Sequence, residues 1–384
     1  MRILLVGEYS GFHNSLKHGL ELLGHEVCII GDGDGFKGYP VDIDISSQFF
    51  RKYWLTHKLK VAWWKLTGHN LEDRLKYVRF RESEHQIQDY DIVQFINSNA
   101  FNCNARTERK MIDRLLKIKA RFFLVACGDD YEYTRYLTET HQGYSILESV
   151  KNGDQQQADF QHTFKYLQPE YRDNYEHIVN AASQIIPSNV DYAMALTQQP
   201  KATDIIPAPI NCAKFPLDIN ADFSIIQIFL GINRANYWKK GINYFEQALN
   251  EIKRRYPDKV RIHVVENVPY AAYIKKYHTA HILLDQVLCY DQGYNALEAM
   301  LQGKVVFSGG SESYLKGHGF ESVPVIDARP DVDYLIEKIS HLIEHPEDLL
   351  KIGKAARNHV LEHHESLMIA QRYEALYTAA TTHQ

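Results

Sequence analysis

The stretch 291–306, DQGYNALEAMLQGKVV, constrains the fold more than any other part of the chain. A glycine-containing loop leads into a short helix whose first turn begins near Gly293. Gly303 ends that helix, and an apolar strand follows from Val305. A loop, a helix and a buried strand in this order are typical of a parallel α/β sheet.

The start of this helix is suited to phosphate. Backbone N–H groups and the positive end of the helix dipole near Gly293 favour an anion. Glu298 shares a helical stripe with Asn295 and Gln302, and a carboxylate there can accept hydrogen bonds from vicinal hydroxyls. The opposite stripe is apolar and predicts the core-facing side, which consists of Ala296, Leu297, Met300 and Leu301.

Strand and helix patterns alternate along both halves of the chain. In the first half, apolar strands at 2–6, 26–30, 91–95, 121–126, 183–187 and 204–207 alternate with helices. The proline-rich run 205–216, IIPAPINCAKFP, has no periodicity and predicts an interdomain linker. The pattern then restarts with strands at 224–231 and 261–267, from 280 onward, and at 323–326.

We therefore predict two Rossmann-like, doubly wound parallel-sheet domains facing a cleft. The predicted boundaries are 1–206 and 207–363, with a C-terminal helix at 364–384 that packs back on the first domain. The loop after the first strand spaces its glycines as G-x-x-x-G, at Gly7 and Gly11, so the fingerprint of a dinucleotide site is missing.

Composition excludes several classes of protein. The 384 residues carry a formal net charge of -5, which argues against a nucleic-acid binder. Five cysteines without a C-x-x-C pair fit a reducing compartment and argue against structural zinc. The first apolar run is too short for a signal peptide, and no run reaches the roughly 20 residues of a spanning helix. We expect a cytoplasmic protein.

Residues 51–81 form the one strongly basic stretch, with nine Lys or Arg against two acidic residues, interleaved with aromatic residues. Such a helix can lie on an anionic membrane surface, which predicts a peripheral contact at the inner face of the cell membrane. The alternative is a helical insertion that covers the sheet.

The run 231–241, GINRANYWKKG, places Arg234 six residues before Lys240 between a strand and a helix. Two cations then meet at a helix N-terminus that already favours anions. The alternative is a solvated loop with ordinary surface charge.

These motifs carry a resemblance. GINRANYWKKG and QGYNALEAMLQGKVV, behind IIPAPINCAKFP, resemble the retaining, nucleotide-sugar-dependent glycosyltransferases of family-4 type, which have the two-domain GT-B fold. In that family an R-x5-K-G pattern holds the donor diphosphate, which implies this role for Arg234 and Lys240. The resemblance also gives Gly293 the position of the glycine in the E-x7-E motif, and Glu298 that of its second glutamate, which binds the donor ribose.

The sequence departs from this family at two positions. Tyr290 stands where the first glutamate of the E-x7-E motif would be, with Asp291 one residue out of register. Many relatives have a His-Gly turn in the first domain, whereas this chain has Cys127 and Gly128. Asp129 or Asp130 is an alternative hydroxyl contact there. The strand HILLDQVL also resembles bacterial members of the family that have an Asp-Gln pair.

The resemblance implies transfer of a sugar, with retention, from a UDP- or GDP-sugar to a glycan or lipid-linked acceptor in bacterial surface polysaccharide synthesis. It implies no metal and no further cofactor. Two Asp-x-Asp pairs, at 42–44 and 331–333, are read as a strand and a helix cap. The candidate catalytic residues are Arg234, Lys240 and Asp129, and the candidate donor-binding residues are Gly11, Asn267, Asp291, Gly293, Tyr294, Asn295 and Glu298.

Two other classes share these features. A nucleotide-sugar epimerase of the same fold would use the same diphosphate cradle. A non-catalytic relative that acts as a binding partner would explain Tyr290 and Cys127.

Overall fold

The computed structural model describes residues 1–47, 70–140, 143–266 and 270–382, together with Lys58, Lys60, Trp63 and Lys65. For residues 36 and 270–273 only the backbone is described. Asn267 and most of the basic stretch 51–81 lie outside these ranges.

The first sheet has six parallel strands in the order β3-β2-β1-β4-β5-β6. Its central strands are almost completely buried apolar runs, as expected for a parallel sheet covered on both faces. The strands are β1 (Arg2–Val6), β2 (Glu26–Gly31), β3 (Ile43–Asp44), β4 (Ile92–Phe95), β5 (Arg121–Ala126) and β6 (Ala182–Pro187).

The second sheet has five parallel strands in the order β11-β10-β9-β7-β8. Because all five strands run parallel, their carboxyl ends lie at one edge of the sheet. The strands are β7 (Ile226–Ile232), β8 (Val260–Glu266), β9 (Ile282–Leu284), β10 (Val305–Ser308) and β11 (Ile326–Asp327). This is the doubly wound parallel architecture expected for both halves of the chain.

The α-helices follow the apolar periodicity of the sequence. Those up to residue 195 are Phe12–Leu22, Leu71–Ser83, Ala105–Leu115, Tyr131–Glu139, Glu148–Lys151, Gln161–Phe164, Pro169–Ala181 and Val190–Ala195. The later ones are Ile242–Arg255, Tyr270–Thr279, Tyr294–Leu301, Glu312–His318, Val332–Glu344, Glu347–His363 and Ser366–Thr382. Short 3-10 turns are Gly35–Lys37, Glu84–Gln86, Gln157–Phe160, Lys165–Leu167, Cys212–Lys214 and Arg234–Asn236.

The chain divides into two compact units. The first comprises 1–135, 161–211 and 366–384, and the second comprises 136–160 and 212–365. This division differs from the sequence-based one at 136–160, which groups with the second unit although we had placed it in the first domain. That polar segment has no strong periodicity, and its contacts with distant residues decide where it belongs.

The last helix, Ser366–Thr382, packs on the helix Phe12–Leu22 within the first unit. Gly19 permits the close approach, because a Cβ there would lie 2.1 Å from the carbonyl oxygen of Ser366. A buried chain of hydrogen bonds crosses the same interface. The Tyr377 hydroxyl donates to Gln94 at 2.6 Å, and Gln94 Nε2 lies 3.2 Å from His13 Nε2.

The described end of the basic stretch is part of the first unit. In the helix Leu71–Ser83, Lys76 is buried and its ammonium lies 2.6 Å from the carboxylate of Asp32. Phe80 is buried on the same helix, and Arg79 donates to the carbonyl of Ser46. These residues pack inward, as expected for a helical insertion that covers the sheet. The predicted membrane contact involves mostly residues outside the described ranges.

The strand predicted at 204–207 is wrong. The segment runs beside β6 and makes single hydrogen bonds, from Thr203 N to Ile185 O and from Ile206 N to Pro187 O, both with lengths close to 3 Å. Pro207 and Pro209 have no N–H to continue a ladder, so the chain leaves the sheet as a linker. Among the described residues, no helix is both long enough and apolar enough to cross a membrane.

Candidate functional site

The loop after β7 carries the two predicted cations. Asn233 accepts a hydrogen bond from the amide of Ala235 and so starts a 3-10 turn at Arg234. Gly241 has a φ of 65° and precedes the helix Ile242–Arg255. A Cβ at Gly241 would lie 3.0 Å from Val287. Glycine therefore lets this loop pack closely against the loop after β9.

Arg234 is held by Glu266, the last residue of β8. Its guanidinium makes two hydrogen bonds of 2.7 Å to the two carboxylate oxygens. Its side chain remains 54% exposed and lies over the ring of Tyr237, 4.8 Å from the ring centre. The guanidinium lowers the pKa of Glu266, and the carboxylate raises that of Arg234. Arg234 is therefore an oriented cation at the edge of the sheet.

Lys240 is paired with a different carboxylate. Its ammonium lies 2.8 Å from Asp285 Oδ1, and Asp285 is only 1% exposed whereas Lys240 is 31% exposed. Asp285 also accepts hydrogen bonds from Asn295 at 3.3 Å and from Ser308 at 3.2 Å. Asp285 therefore connects the loop after β7, the helix Tyr294–Leu301 and the end of β10.

The helix Tyr294–Leu301 begins where the sequence predicts. Gly293 is its N-cap and provides no side-chain cap for the first-turn amides. A Cβ at Gly293 would lie 3.8 Å from the carboxylate of Asp285, so the helix start is next to the partner of Lys240. An ammonium and a helix N-terminus in one place suit a phosphate group. Tyr294 and Asn295, also predicted to bind the donor, form the first turn.

The outer stripe of this helix lines a pocket. Asn295, Glu298 and Gln302 border a cavity of about 540 Å³ within the second unit. The aromatic side chains of Phe215 and Tyr277 also line the cavity. The Oε1 atom of the buried Gln302 has no hydrogen-bond partner among the described residues. The predicted apolar stripe of the helix is in the core.

Asp291, a predicted donor-binding residue, is buried. Its carboxylate lies 2.9 Å from His318 Nε2, and both side chains are only 4% exposed. The other carboxylate oxygen accepts a hydrogen bond of 2.7 Å from the backbone amide of Gln292. The Asp291 side chain is therefore buried within the second unit, and its role as a donor contact stays a prediction.

Tyr290 contacts the segment 136–160. Its ring stacks on Tyr144 with a centroid distance of 4.8 Å, and its hydroxyl donates to the carbonyl of Tyr144 at 3.1 Å. A Cβ at Gly143 would lie 2.1 Å from this hydroxyl, so a larger residue at this position would displace the Tyr290 hydroxyl. An aromatic pair occupies the position where the family has a carboxylate.

In the first unit, Asp129 and Asp130 follow β5 and have different environments. Asp129 is half-buried and accepts a hydrogen bond of 2.6 Å from Thr163. Asp130 is buried and accepts hydrogen bonds from Ser98 and from the amide of Tyr131. Burial raises its pKa to about 6. Asp130 therefore fixes the start of a helix, and Asp129 is the more accessible carboxylate.

Gly11 shapes the first loop rather than offering a side chain. It has a φ of 86° and precedes the helix Phe12–Leu22. The buried carboxylate of Glu8 accepts hydrogen bonds from the backbone amides of Gly11 and Asn14, each at 2.8 Å. Burial raises the pKa of Glu8 to about 7.

Sequence reasoning did not identify Glu266, the bridging role of Asp285, His318 or Glu8. A signal existed for three of them, since Glu266, Asp285 and Glu8 each stand at or just after the carboxyl end of a parallel strand. His318 follows no recognisable pattern. Asn267, the predicted donor contact after β8, lies outside the described residues.

Residues 234–375 match the family described as glycosyl transferase-like. This region contains Arg234, Lys240 and Glu298. No curated protein matches the chain.

Solved structures show the fold. Sucrose-phosphate synthase from Thermosynechococcus elongatus has a TM-score of 0.59 at 14% identity, with all of both chains covered. HepE from Anabaena, in complex with UDP-glucose, has a TM-score of 0.54 at 12% identity, with 99% of this chain and 100% of that chain covered. UDP-GlcNAc 2-epimerase from Neisseria meningitidis, bound to UDP-GlcNAc, has a TM-score of 0.50 at 14% identity, with 98% and 100% covered. The chain thus has the GT-B fold of glycosyltransferases.

Proposed function

We propose that the protein is a retaining glycosyltransferase that transfers a sugar from a nucleoside-diphosphate sugar. One observation carries the proposal. Lys240 and the N-terminus of the helix Tyr294–Leu301 meet at Asp285, and Glu298 of the same helix faces the 540 Å³ pocket. This arrangement supplies a phosphate site and a hydroxyl-binding carboxylate about one helical turn apart.

Lys240 can serve both Asp285 and a phosphate. An ammonium has three N–H donors, and the contact with Asp285 requires one of them. Its partly exposed position leaves a face toward solvent. Asp285 therefore orients the ammonium while a donor diphosphate accepts its other N–H groups. Arg234, oriented by Glu266, supplies a second cation for the same diphosphate.

The proposed mechanism follows from charge. When a sugar leaves a nucleoside diphosphate, negative charge grows on the β-phosphate oxygen. Fixed cations and helix amides aimed at that atom stabilise the transition state more than the ground state. The acceptor hydroxyl then attacks from the face that the phosphate leaves, and the phosphate helps to take its proton. These residues supply the charge without a metal ion.

Glu298 would bind the ribose hydroxyls. Asp129, which lies in the first unit, would contact a substrate hydroxyl. The half-buried Asp129 carboxylate accepts a hydrogen bond from Thr163, and a carboxylate offers about four acceptor sites. As acceptor we propose a glycan or lipid-linked saccharide, as the sequence resemblance implies.

The test is turnover with purified protein and a panel of UDP- and GDP-sugars. Lys240→Ala and Glu298→Ala should each reduce donor turnover at least tenfold, since each removes a charged hydrogen-bond partner of the donor. If both variants turn over the donor at the wild-type rate, the proposal is wrong.

An epimerase is the second candidate, because UDP-GlcNAc 2-epimerase from Neisseria meningitidis has the same fold. Incubating the donor without an acceptor separates the two. An epimerase accumulates the epimer, whereas a glycosyltransferase shows only slow hydrolysis of its donor. Nucleotide binding without either reaction would identify a non-catalytic relative.

A further inference from the structure

The loop 290–293 is fixed from its inner side. The Asp291 carboxylate binds His318 and the amide of Gln292. The Asp291 carbonyl accepts hydrogen bonds from Gln286 at 3.2 Å and from the thiol of Cys289 at 3.1 Å. Gln292 donates to the carbonyl of Gly309. Both side chains of the pair Asp291-Gln292 are thus used to hold the loop.

The loop also lies directly on the end of β10. A Cβ at Gly309 would lie 2.4 Å from the amide nitrogen of Asp291 and 2.4 Å from the carbonyl carbon of Tyr290. Backbone therefore packs on backbone, and a small displacement of Asp291 moves the chain that enters the helix at Gly293.

His318 is itself held rigidly. It ends the helix Glu312–His318, and its ring is parallel to that of Phe320, with an angle of 5° and a centroid distance of 5.4 Å. Tyr314, one turn earlier, packs 4.6 Å from the same ring. The Tyr314 hydroxyl lies 3.1 Å from Nε2 of His359 on the helix Glu347–His363. Burial lowers the pKa of His359 to about 3, so this neighbour is uncharged at neutral pH.

We propose that His318 is a positioning residue for the donor site and acts through Asp291. With a side chain only 4% exposed, it does not reach a ligand in the pocket. Its N–H donates to the buried Asp291 carboxylate and fixes the direction of residues 291–293. That direction sets where the first-turn amides of the helix Tyr294–Leu301 point, and hence how well they meet a phosphate. The inference rests on the proposed nucleotide site.

A purely structural histidine would affect stability alone, so the test measures binding. His318→Phe keeps an aromatic ring for the stack with Phe320 and removes the N–H donor. We expect its affinity for UDP or GDP, measured by calorimetry, to fall severalfold, because the lost hydrogen bond fixes the loop 290–293 and does not contact the nucleotide itself. His318→Gln restores an N–H donor and should recover most of the affinity.

Lys316→Ala is the matched control, because Lys316 is on the same helix with a side chain 75% exposed. It should bind like the wild type. In turnover assays, His318→Phe should raise the KM for the donor and leave the KM for the acceptor unchanged. If His318→Phe folds and binds UDP and GDP as the wild type does, the inference is overturned while the proposed function stands.

Asp291→Asn provides the second route if His318→Phe does not fold. Asparagine keeps the shape of Asp291 and weakens its hydrogen bond with His318, so nucleotide affinity should fall severalfold. Unchanged affinity in Asp291→Asn would also overturn the inference. If the wild type binds neither UDP nor GDP, the proposed function fails first, and the positioning role fails with it.

Discussion

Lys240 and Asp285 form an ion pair at the candidate site. Asp285 is almost completely buried, and a buried carboxylate without a cation is strongly unfavourable. The pair therefore exists before any ligand arrives. Asn295 and Ser308 complete the shell of Asp285, so the carboxylate is fixed and orients the ammonium toward the start of the helix Tyr294–Leu301.

Replacing Lys240 with Met should lower the free energy of unfolding by about 1–3 kcal/mol, because it leaves Asp285 without its cation. Adding Asp285→Asn should recover most of that stability and should not restore nucleotide binding. Urea unfolding and calorimetry measure the two effects separately. Lys253→Met, an exposed lysine on the helix Ile242–Arg255, is the control and should change neither.

The sequence predicted that Arg234 and Lys240 lie in one loop before a helix, but it did not predict the carboxylates with which they pair. Glu266 ends β8 and Asp285 directly follows β9, and parallel pairing of both strands with β7 brings the two residues to the same edge. The burial of Asp291 could not be predicted for a related reason. Its side-chain direction depends on His318, which is 27 residues further along the chain.

At the scale of elements, the helix Glu347–His363 supports the helix that carries Glu298. Gly353 lies against the end of that helix, where a Cβ would be 2.0 Å from the carbonyl oxygen of Gly303. The Arg357 guanidinium donates to the carbonyl of Leu301 at the same place. The outer helix thus fixes the C-terminal end of the helix Tyr294–Leu301.

Gly353→Ala should therefore destabilise the protein, although alanine is the better helix former. The gain in helix propensity is roughly 0.5–1 kcal/mol, whereas overpacking against a backbone carbonyl costs about 1–3 kcal/mol. We expect a net loss of about 1–2 kcal/mol in urea unfolding. Lys354→Ala, at the exposed neighbouring position, should be neutral within about 0.5 kcal/mol. A Gly353→Ala variant more stable than the wild type would contradict this packing.

The helices themselves were largely predictable, since apolar periodicity is a local property. Gly293 is the N-cap of the helix Tyr294–Leu301, whose first turn the sequence places near this residue. The approach of Gly353 to Gly303 was not predictable, because a glycine inside a helix pattern does not indicate which backbone it meets.

At the scale of the whole molecule, both units contain buried histidines. Burial lowers the pKa of His13 and of His281 to about 4, and that of His359 to about 3. The unfolded chain binds protons to these groups below about pH 6.5, and the folded chain does so only at lower pH. Each group thus contributes stability above pH 6.5 that is lost as the pH falls toward its folded pKa.

His13→Phe isolates one such contribution. The His13 pKa falls from 6.5 to about 4 on folding. This shift corresponds to about 3 kcal/mol of wild-type stability lost between pH 6.5 and pH 4. The variant costs stability at neutral pH, because it removes the contacts of His13 with Gly7 and Gln94. The difference in unfolding free energy between variant and wild type should shrink by about 3 kcal/mol from pH 7 to pH 4. A constant difference would show that His13 is not buried in its neutral form.

Two parallel α/β units could be predicted because each strand and each helix has its own local pattern. That the segment 136–160 belongs to the second unit could not be predicted. Its place depends on contacts between distant residues, such as the stack of Tyr144 on Tyr290. Most motifs that resemble a known family lie in the second half of the chain. The candidate residues of the first unit were therefore predicted from fewer sequence motifs.

The central claim is that a nucleoside diphosphate binds at Lys240 and the start of the helix Tyr294–Leu301, with its ribose on Glu298. Calorimetric titration of the full chain with UDP and GDP tests this most directly. We predict binding of at least one of them, weakened about tenfold or more by Lys240→Met and by Glu298→Gln, and unchanged by Lys253→Met. Wild-type protein that binds neither nucleotide, or variants that bind as tightly as the wild type, would contradict the account.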